Sequence, residues 1–432
     1  MTKMPESEPR RATTGWTPVH GIPLPSSLTN ADPRVAFVLR LGRALHTSGY
    51  AANRLEEALS LASDRLGLTG QFFSTPTSIM ASFGPQDDQR TFMIRVDPGE
   101  SDLGKLARTD EVTREVLNGR LSPAEGTVQL DQLEHSKPEY GALLTTIAFG
   151  IASGSAARFL GGGWRECLAG LVIGLVIGLL ALSAGRHPAL GKVFEPVAAL
   201  IASLLAAAMA ALGFPVSIFL ATLAGVIVLI PGLMLTTAMT ELSTRHLASG
   251  TARFMGAIVL LLGIVFGIAL GTKVVTLIHG SIAAAQVVAL PEWTLLVSLV
   301  VTPLAFVVLL KAERRDAPWI VLAGALAFVG ARVGAATLGP ELGAFGGALV
   351  TGVAANWYAR LTNRPSQIVL VPGLLLLVPG SVGLRSLTSL LDREVLLGVE
   401  GAFQMVLIAV SLVSGILIAQ IISPKRRLVE GS

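Results

Sequence analysis

The chain has 432 residues, of which 52% are apolar and only 14% charged, with 46 glycines and a formal net charge of +4. Soluble proteins carry about a quarter charged residues, so this composition excludes a disordered polymer, a coiled coil and an ordinary soluble enzyme. Residues 1–140 hold 15 Lys/Arg against 18 Asp/Glu, and residues 141–432 hold 18 against 11, which reads as a soluble front followed by a membrane body.

Residues 1–31 are rich in Pro, Ser and Thr and lack the apolar core of a cleavable signal peptide. They read as a disordered tail. Asp32-Pro33 then looks like an N-cap with proline at the first helical position. Val35, Val38, Leu39 and Leu45 mark the apolar face of that helix, and Gly49 breaks it. A second helix is predicted over about 52–66. Segments 71–74, 78–83 and 91–96 read as a small antiparallel sheet. Two more helices, about 102–118 and 122–133, close an α+β domain over 32–136. Ser122-Pro123-x-Glu125 supplies the last N-cap.

This front shows no catalytic or metal cluster. His46 has no cysteine beside it, and Glu56-Glu57 diverge around their helix, so they read as a solvated face. The chain lacks G-x-x-x-x-G-K-[ST], H-E-x-x-H and G-x-S-x-G. Neither an ATP-driven motor nor a familiar hydrolase is signalled, and no cofactor or metal is expected. The single cysteine, Cys167, excludes an internal disulfide. The basic excess sits beside membrane segments and argues for lipid, not nucleic acid.

From Gly141 the hydropathy is continuous. A spanning helix needs about 20 apolar residues. Ten candidates follow: about 141–159, 166–184, 194–212, 216–240, 253–278, 292–311, 317–338, 341–359, 366–384 and 397–422. With the front in the cytoplasm, inner loops and the C-terminus hold 12 Lys/Arg and the opposite side 5. That bias predicts ten spans with both termini cytoplasmic. Glycines repeat every four residues at Gly170, Gly174 and Gly178, and again at Gly263, Gly267 and Gly271. Such seams let helices approach closely in a bundle.

Val228–Leu235, around Pro231-Gly232, resembles Val369–Leu376, around Pro372-Gly373. Arg158 precedes Glu166 much as Arg332 precedes Glu341. The body therefore reads as two related halves, 141–280 and 291–423, joined near Lys311–Asp316. Such repeats mark secondary transporters; their sense, parallel or inverted, stays open. Pro231-Gly232, Pro372-Gly373 and Pro379-Gly380 are candidate helix breaks, whose half-helix ends can hold a substrate carboxylate. A structural kink is the plain alternative.

Intramembrane acids are costly and point to function, although a position at the interface serves as well. Glu241, Arg253, Glu400 and Gln404 form the candidate charge-coupling set, with Glu241 or Glu400 meeting a substrate ammonium or a proton. Arg158 and Arg332 either snorkel outward or pair with Glu166 and Glu341 as an outer gate.

Several motifs then resemble the threonine/serine exporter family. Gly49-x-x-x-x-Arg54-Leu-Glu56, Leu66-Gly67-Leu68, Thr75-Pro76-Thr77 and Arg95-Val96 look like its cytoplasmic domain. Gly162-Gly163-Trp164, Ile230-Pro231-Gly232 and Gly250-x-x-Arg253 resemble its first membrane half. Ala327-Phe328-x-Gly330-x-Arg332, Asn363-Arg364-Pro365 and Val371-Pro372-Gly373 resemble its second half, which exists as a separate small chain in relatives linked to dicarboxylate export. Glu241 stands where the family pattern has an aspartate. The resemblance covers about residues 33–422. It implies proton-coupled efflux of small amino acids across a bacterial inner membrane; alternating access is the expected mechanism, and a homo-oligomer an expected assembly. Dicarboxylate export is the alternative, and a membrane-anchored enzyme or sensor a remoter one.

Overall fold

The computed structural model describes residues 32–97, 101–280, 285–339, 342–391 and 393–423, without the side chain of Leu338. The expected tail, 1–31, and Glu341 lie outside the described residues. Asp32 caps helix α1 (Pro33–Thr47), its side chain accepting from the Arg34 backbone N–H at 2.9 Å. Helix α2 (Ala52–Arg65) leads into strands β1 (Gly70–Thr75), β2 (Ser78–Phe83) and β3 (Arg90–Arg95). They form one antiparallel sheet with β2 central, Ala81 facing Phe72 on one side and Phe92 on the other. Alternation buries Ile79, Ala81 and Phe83 on one face. Asp102 caps α3 (Leu103–Leu117), and a reciprocal Ser122/Glu125 capping box opens α4 (Pro123–Glu134). Phe37, Leu41, Leu45, Leu55, Leu59, Ile79, Leu106 and Leu130 fill the core of this front section.

The body comprises α5 (Ala142–Phe159), α6 (Trp164–Ala184), the one-turn α7 (Pro188–Gly191), α8 (Phe194–Ala211), α9 (Ile218–Gly225), α10 (Gly232–Ser243) and α11 (Leu247–His279). It continues with α12 (Trp293–Leu309), α13 (Ala317–Leu338), α14 (Gly343–Thr362), α15 (Gln367–Leu375), α16 (Gly380–Leu391) and α17 (Val395–Ile422). Among the described residues, seven helical stretches are long and apolar enough to cross a membrane, or eight if α9 and α10, bent by 48°, make one span. Phe266, Leu296, Phe403 and Ile421 are exposed, a poor arrangement in water and an ordinary one in lipid. This is a polytopic helical membrane protein.

The two halves repeat in a fixed register. Helices α10 and α16 start 148 residues apart, at Gly232 and Gly380, and so do α11 and α17, at Leu247 and Val395. Arg245 and Arg393 occupy the same position in the intervening turn, both left-handed with φ of 65°. Gly250 packs on Leu242, and Gly398 on Leu390. Helix α8 packs on α11 as α14 does on α17, and α10 meets α17 while α11 meets α16. One unit is therefore α5, α6, α8, α9/α10 and α11; the other is α12, α13, α14, α15/α16 and α17.

This register differs from the one suggested by sequence. The counterpart of Pro231-Gly232 is Pro379-Gly380, not Pro372-Gly373. Pro372 lies inside α15, which continues through Leu375. A proline removes one backbone donor, and neighbouring helices compensate for that single loss. The break comes before Pro379, where the residue ahead of a proline disfavours helix.

Candidate functional site

The two half-helices beginning at Gly232 and Gly380 meet back to back. A Cβ placed on Gly380 would stand 2.5 Å from Ile230 Cγ2 and 3.3 Å from Gly232 Cα, and one on Gly232 would collide with Val378. Both Pro-Gly breaks thus lie at the contact between the halves, and both glycines are buried. Pro372-Gly373 is buried too, with Gly373 against Thr351 and Ala323.

Further along α10, Glu241 is fully enclosed. Its Oε1 accepts from the Ala52 backbone N–H at 2.8 Å and from Arg253 Nε at 3.0 Å, and its Oε2 accepts from Ser249 Oγ at 2.8 Å. Ala51 caps α2 without a side-chain hydrogen bond, so this carboxylate supplies the missing cap from the body. The structure thus joins Glu241 and Arg253. It leaves Glu400 and Gln404 apart from them on α17, Glu400 being exposed.

Beside this seam, Glu56 accepts from the Ser74 N–H at 2.7 Å and faces His246 Nε2 at 3.2 Å. Glu57 is exposed; Glu56 is not part of a solvated face, because α2 docks on the turn before α11. His46 is buried and its Nε2 lies 3.0 Å from the Thr75 carbonyl. Burial pushes its pKa down, against the pull of that carbonyl, and Arg253 adds to the fall.

A second seam ties the front section to the turn before α13. The Leu103 and Gly104 N–H groups donate to the Leu310 and Lys311 carbonyls at 2.9 and 3.1 Å. Tyr140 Oη donates to the Ala312 carbonyl at 2.6 Å. Next to it, Arg364 grips Asp316 through Nη1 at 2.5 and 2.6 Å and Glu313 through Nη2 at 2.7 Å, while Tyr358 donates to Asp316 at 2.7 Å. Desolvation works to raise the pKa of Glu313, but Arg364 and Arg315 outweigh it and hold the carboxyl below its ordinary value. The front section therefore contacts both halves of the body.

Between the seams lies a cavity of about 90 Å³, several times the ~10–15 Å³ that one water needs. The front section contributes Tyr50 and Arg54; α10 contributes Thr236, Thr237 and Thr240; α15 contributes Gln367. Arg54 has no hydrogen-bond or ion-pair partner among the described residues. Burial lowers its pKa, opposed by Tyr50 and the nearby Glu57. Burial raises the pKa of Tyr50, which lines the cavity together with Gln367. Sequence reasoning missed Arg54 as a site residue, although it quoted the motif containing it. Thr236 and Thr240, four residues apart, were also legible as neighbours on one helical face.

On the opposite end, Arg158 donates to Thr294 Oγ1 at 2.6 Å and to the Leu290 and Pro291 carbonyls at 3.3 Å. Glu166 is buried and accepts from the Gly163 and Ser217 N–H groups at 2.9 and 3.0 Å. The two are not paired with each other in the described structure, and Arg332 is exposed on α13. Among the described residues no group of three His, Cys, Asp or Glu side chains could hold a metal ion.

Residues 36–275 match the family described as "Putative threonine/serine exporter", and residues 295–422 match "Threonine/Serine exporter, ThrE". The chain belongs to the threonine/serine exporter family. That family is one of transporters, not enzymes. An uncharacterized protein of Schizosaccharomyces pombe is 26% identical over 370 residues, covering 82% of this chain and 44% of its own length. Pheromone-regulated membrane protein 10 of Pichia sorbitophila is 24% identical over 392 residues, covering 86% and 38%, and that of Candida albicans is 26% identical over 365 residues, covering 82% and 33%. The exporter-family chain thus spans less than half the length of these fungal relatives. No solved structure matches it.

Proposed function

We propose that the chain is a secondary exporter of small amino acids such as threonine and serine, coupled to protons and working by alternating access. The observation that carries this reading is the contact of Gly232 with Gly380, where two interrupted helices of related halves meet. Each half contributes five helical segments. An odd number of alternating spans inverts the second half relative to the first, giving ten spans in all. Inverted repeats let a cavity between α10 and α15 have its counterpart between α9 and α16 on the other face. The Lys/Arg-rich loops support a cytoplasmic side for the front section and both ends of the body.

Helices α10 and α15 both line the cavity beside the front section, so substrate enters there from the cytoplasm. Glu241 joins that helix pair to the coupling step. A proton on its carboxylate removes the charge that holds Arg253 and the N-terminus of α2. The test is efflux of L-threonine, L-serine or succinate from proteoliposomes with an imposed pH gradient. Amino-acid flux above that of empty liposomes, dissipated by a protonophore, is expected. Flux of none of them overturns the reading, and flux of succinate alone replaces its substrate class.

A further inference from the structure

We infer that the cavity beside Arg54 binds one small neutral amino acid, its carboxylate on the Arg54 guanidinium and its ammonium on the hydroxyl oxygens of Thr236 and Thr240. The inference rests on the export reading above and deepens it by naming the subsite and the charge class it admits.

Arg54 is the cation of this cavity, and none of the described residues lining it is acidic. Arg54 is half-buried, and withdrawing a guanidinium from bulk water without a counter-ion is costly. A carboxylate relieves that cost with two parallel hydrogen bonds, which a guanidinium presents in a fixed fork. The acidic neighbour Glu57 acts on Arg54 but is exposed and forms no ion pair with it among the described residues, so the fork is left for a ligand.

The wall that α10 contributes suits an ammonium. Thr236 Oγ1 donates to the Gly232 carbonyl at 3.2 Å, and Thr240 Oγ1 to the Thr236 carbonyl at 2.8 Å. A hydroxyl has one proton to give. With it spent on the helix backbone, each oxygen faces the cavity only as an acceptor. Leu233, Leu370 and Leu374 supply the apolar remainder and leave no second cation for a second carboxylate. A dicarboxylate would therefore bury an unpaired charge.

The position of the subsite adds a mechanical consequence. Thr236 lies one turn after the break at Gly232, and Gln367 opens α15; Tyr50 of the front section lines the same cavity. A ligand held here bridges the front section and two half-helices, so release requires them to part.

The test uses the full-length purified protein in detergent or nanodiscs and measures equilibrium binding of L-threonine, L-serine, L-threonine methyl ester, succinate and inorganic phosphate. The wild type is expected to bind threonine or serine at least about 10-fold tighter than the ester, which lacks the carboxylate, and than succinate. Arg54→Gln is expected to weaken threonine binding about 10–100-fold while leaving ester binding unchanged. Arg54→Lys restores part of the affinity, and Thr240→Val weakens threonine binding several-fold. Equal binding of ester and threonine by the wild type overturns the subsite even if no variant folds. Phosphate competing as well as threonine overturns the amino-acid class. Proteoliposomes that transport threonine through Arg54→Gln at the wild-type KM sink the subsite and leave the export reading standing. Threonine binding without any transport does the reverse.

Discussion

Gly232 and Gly380 touch through their backbones: a methyl group on Gly380 would lie 3.3 Å from the Cα of Gly232 and 3.5 Å from its nitrogen. Their contact is the point where the two five-helix units cross. Gly380→Ala must push Ile230 aside, and Gly232→Ala must push Val378. Overpacking of this kind costs about 1–3 kcal/mol. Either variant is expected to reach the membrane with a lowered Tm and to lose most transport, because the crossing point has no spare volume. Full efflux by the double variant Gly232→Ala/Gly380→Ala in proteoliposomes would show that the helices do not move against each other here.

Glu241 holds the front section by the N-terminus of α2 and holds Arg253 by an ion pair, with no exposure of its own. Removing one partner of a buried pair leaves the other uncompensated, a loss of about 3–5 kcal/mol. Glu241→Gln is expected to abolish coupled efflux, lower Tm and open the 48–52 segment to protease. Adding Arg253→Gln should recover part of the Tm. Efflux at the wild-type rate in Glu241→Gln would remove this carboxylate from the transport cycle.

Arg364 binds Asp316 and Glu313 together, with 10% of its side chain exposed. A guanidinium fork can serve two carboxylates at once and an ammonium cannot match that geometry. Arg364→Lys is therefore expected to recover less than half of the Tm lost in Arg364→Ala. Full rescue by lysine would mean that charge alone matters at this turn.

His46 gives the seam an acid limit. Its imidazole takes up a proton less readily when folded than when unfolded, because burial, opposed by the Thr75 carbonyl and reinforced by Arg253, disfavours the charged form. The stability this lends is present above the ordinary histidine pKa of about 6.5 and is lost as pH falls below it toward the folded value. Between pH 8 and pH 5 the wild-type Tm should drop by a few degrees. His46→Gln should flatten that profile, as measured by thermal unfolding of the purified protein; an unchanged slope would assign the acid sensitivity to other groups.

Local features of the sequence were enough for the pieces. Asp32 and Ser122 read as caps because a cap needs only its own three or four neighbours. The apolar runs and the Lys/Arg-rich loops identified a polytopic body because hydropathy and charge act segment by segment. The repeat was visible, but its register was not. VLIPG resembles VLVPG more closely than LLVPG, whereas the position of a helix break depends on what packs around each proline. Nor could sequence place Glu241 on Ala52, 189 residues away, or leave Arg54 without an ion-pair partner among the described residues in a cavity between three elements. Such partners meet only when distant helices are brought together, and the energy of a buried charge is fixed by the groups that surround it in space, not by those beside it along the chain.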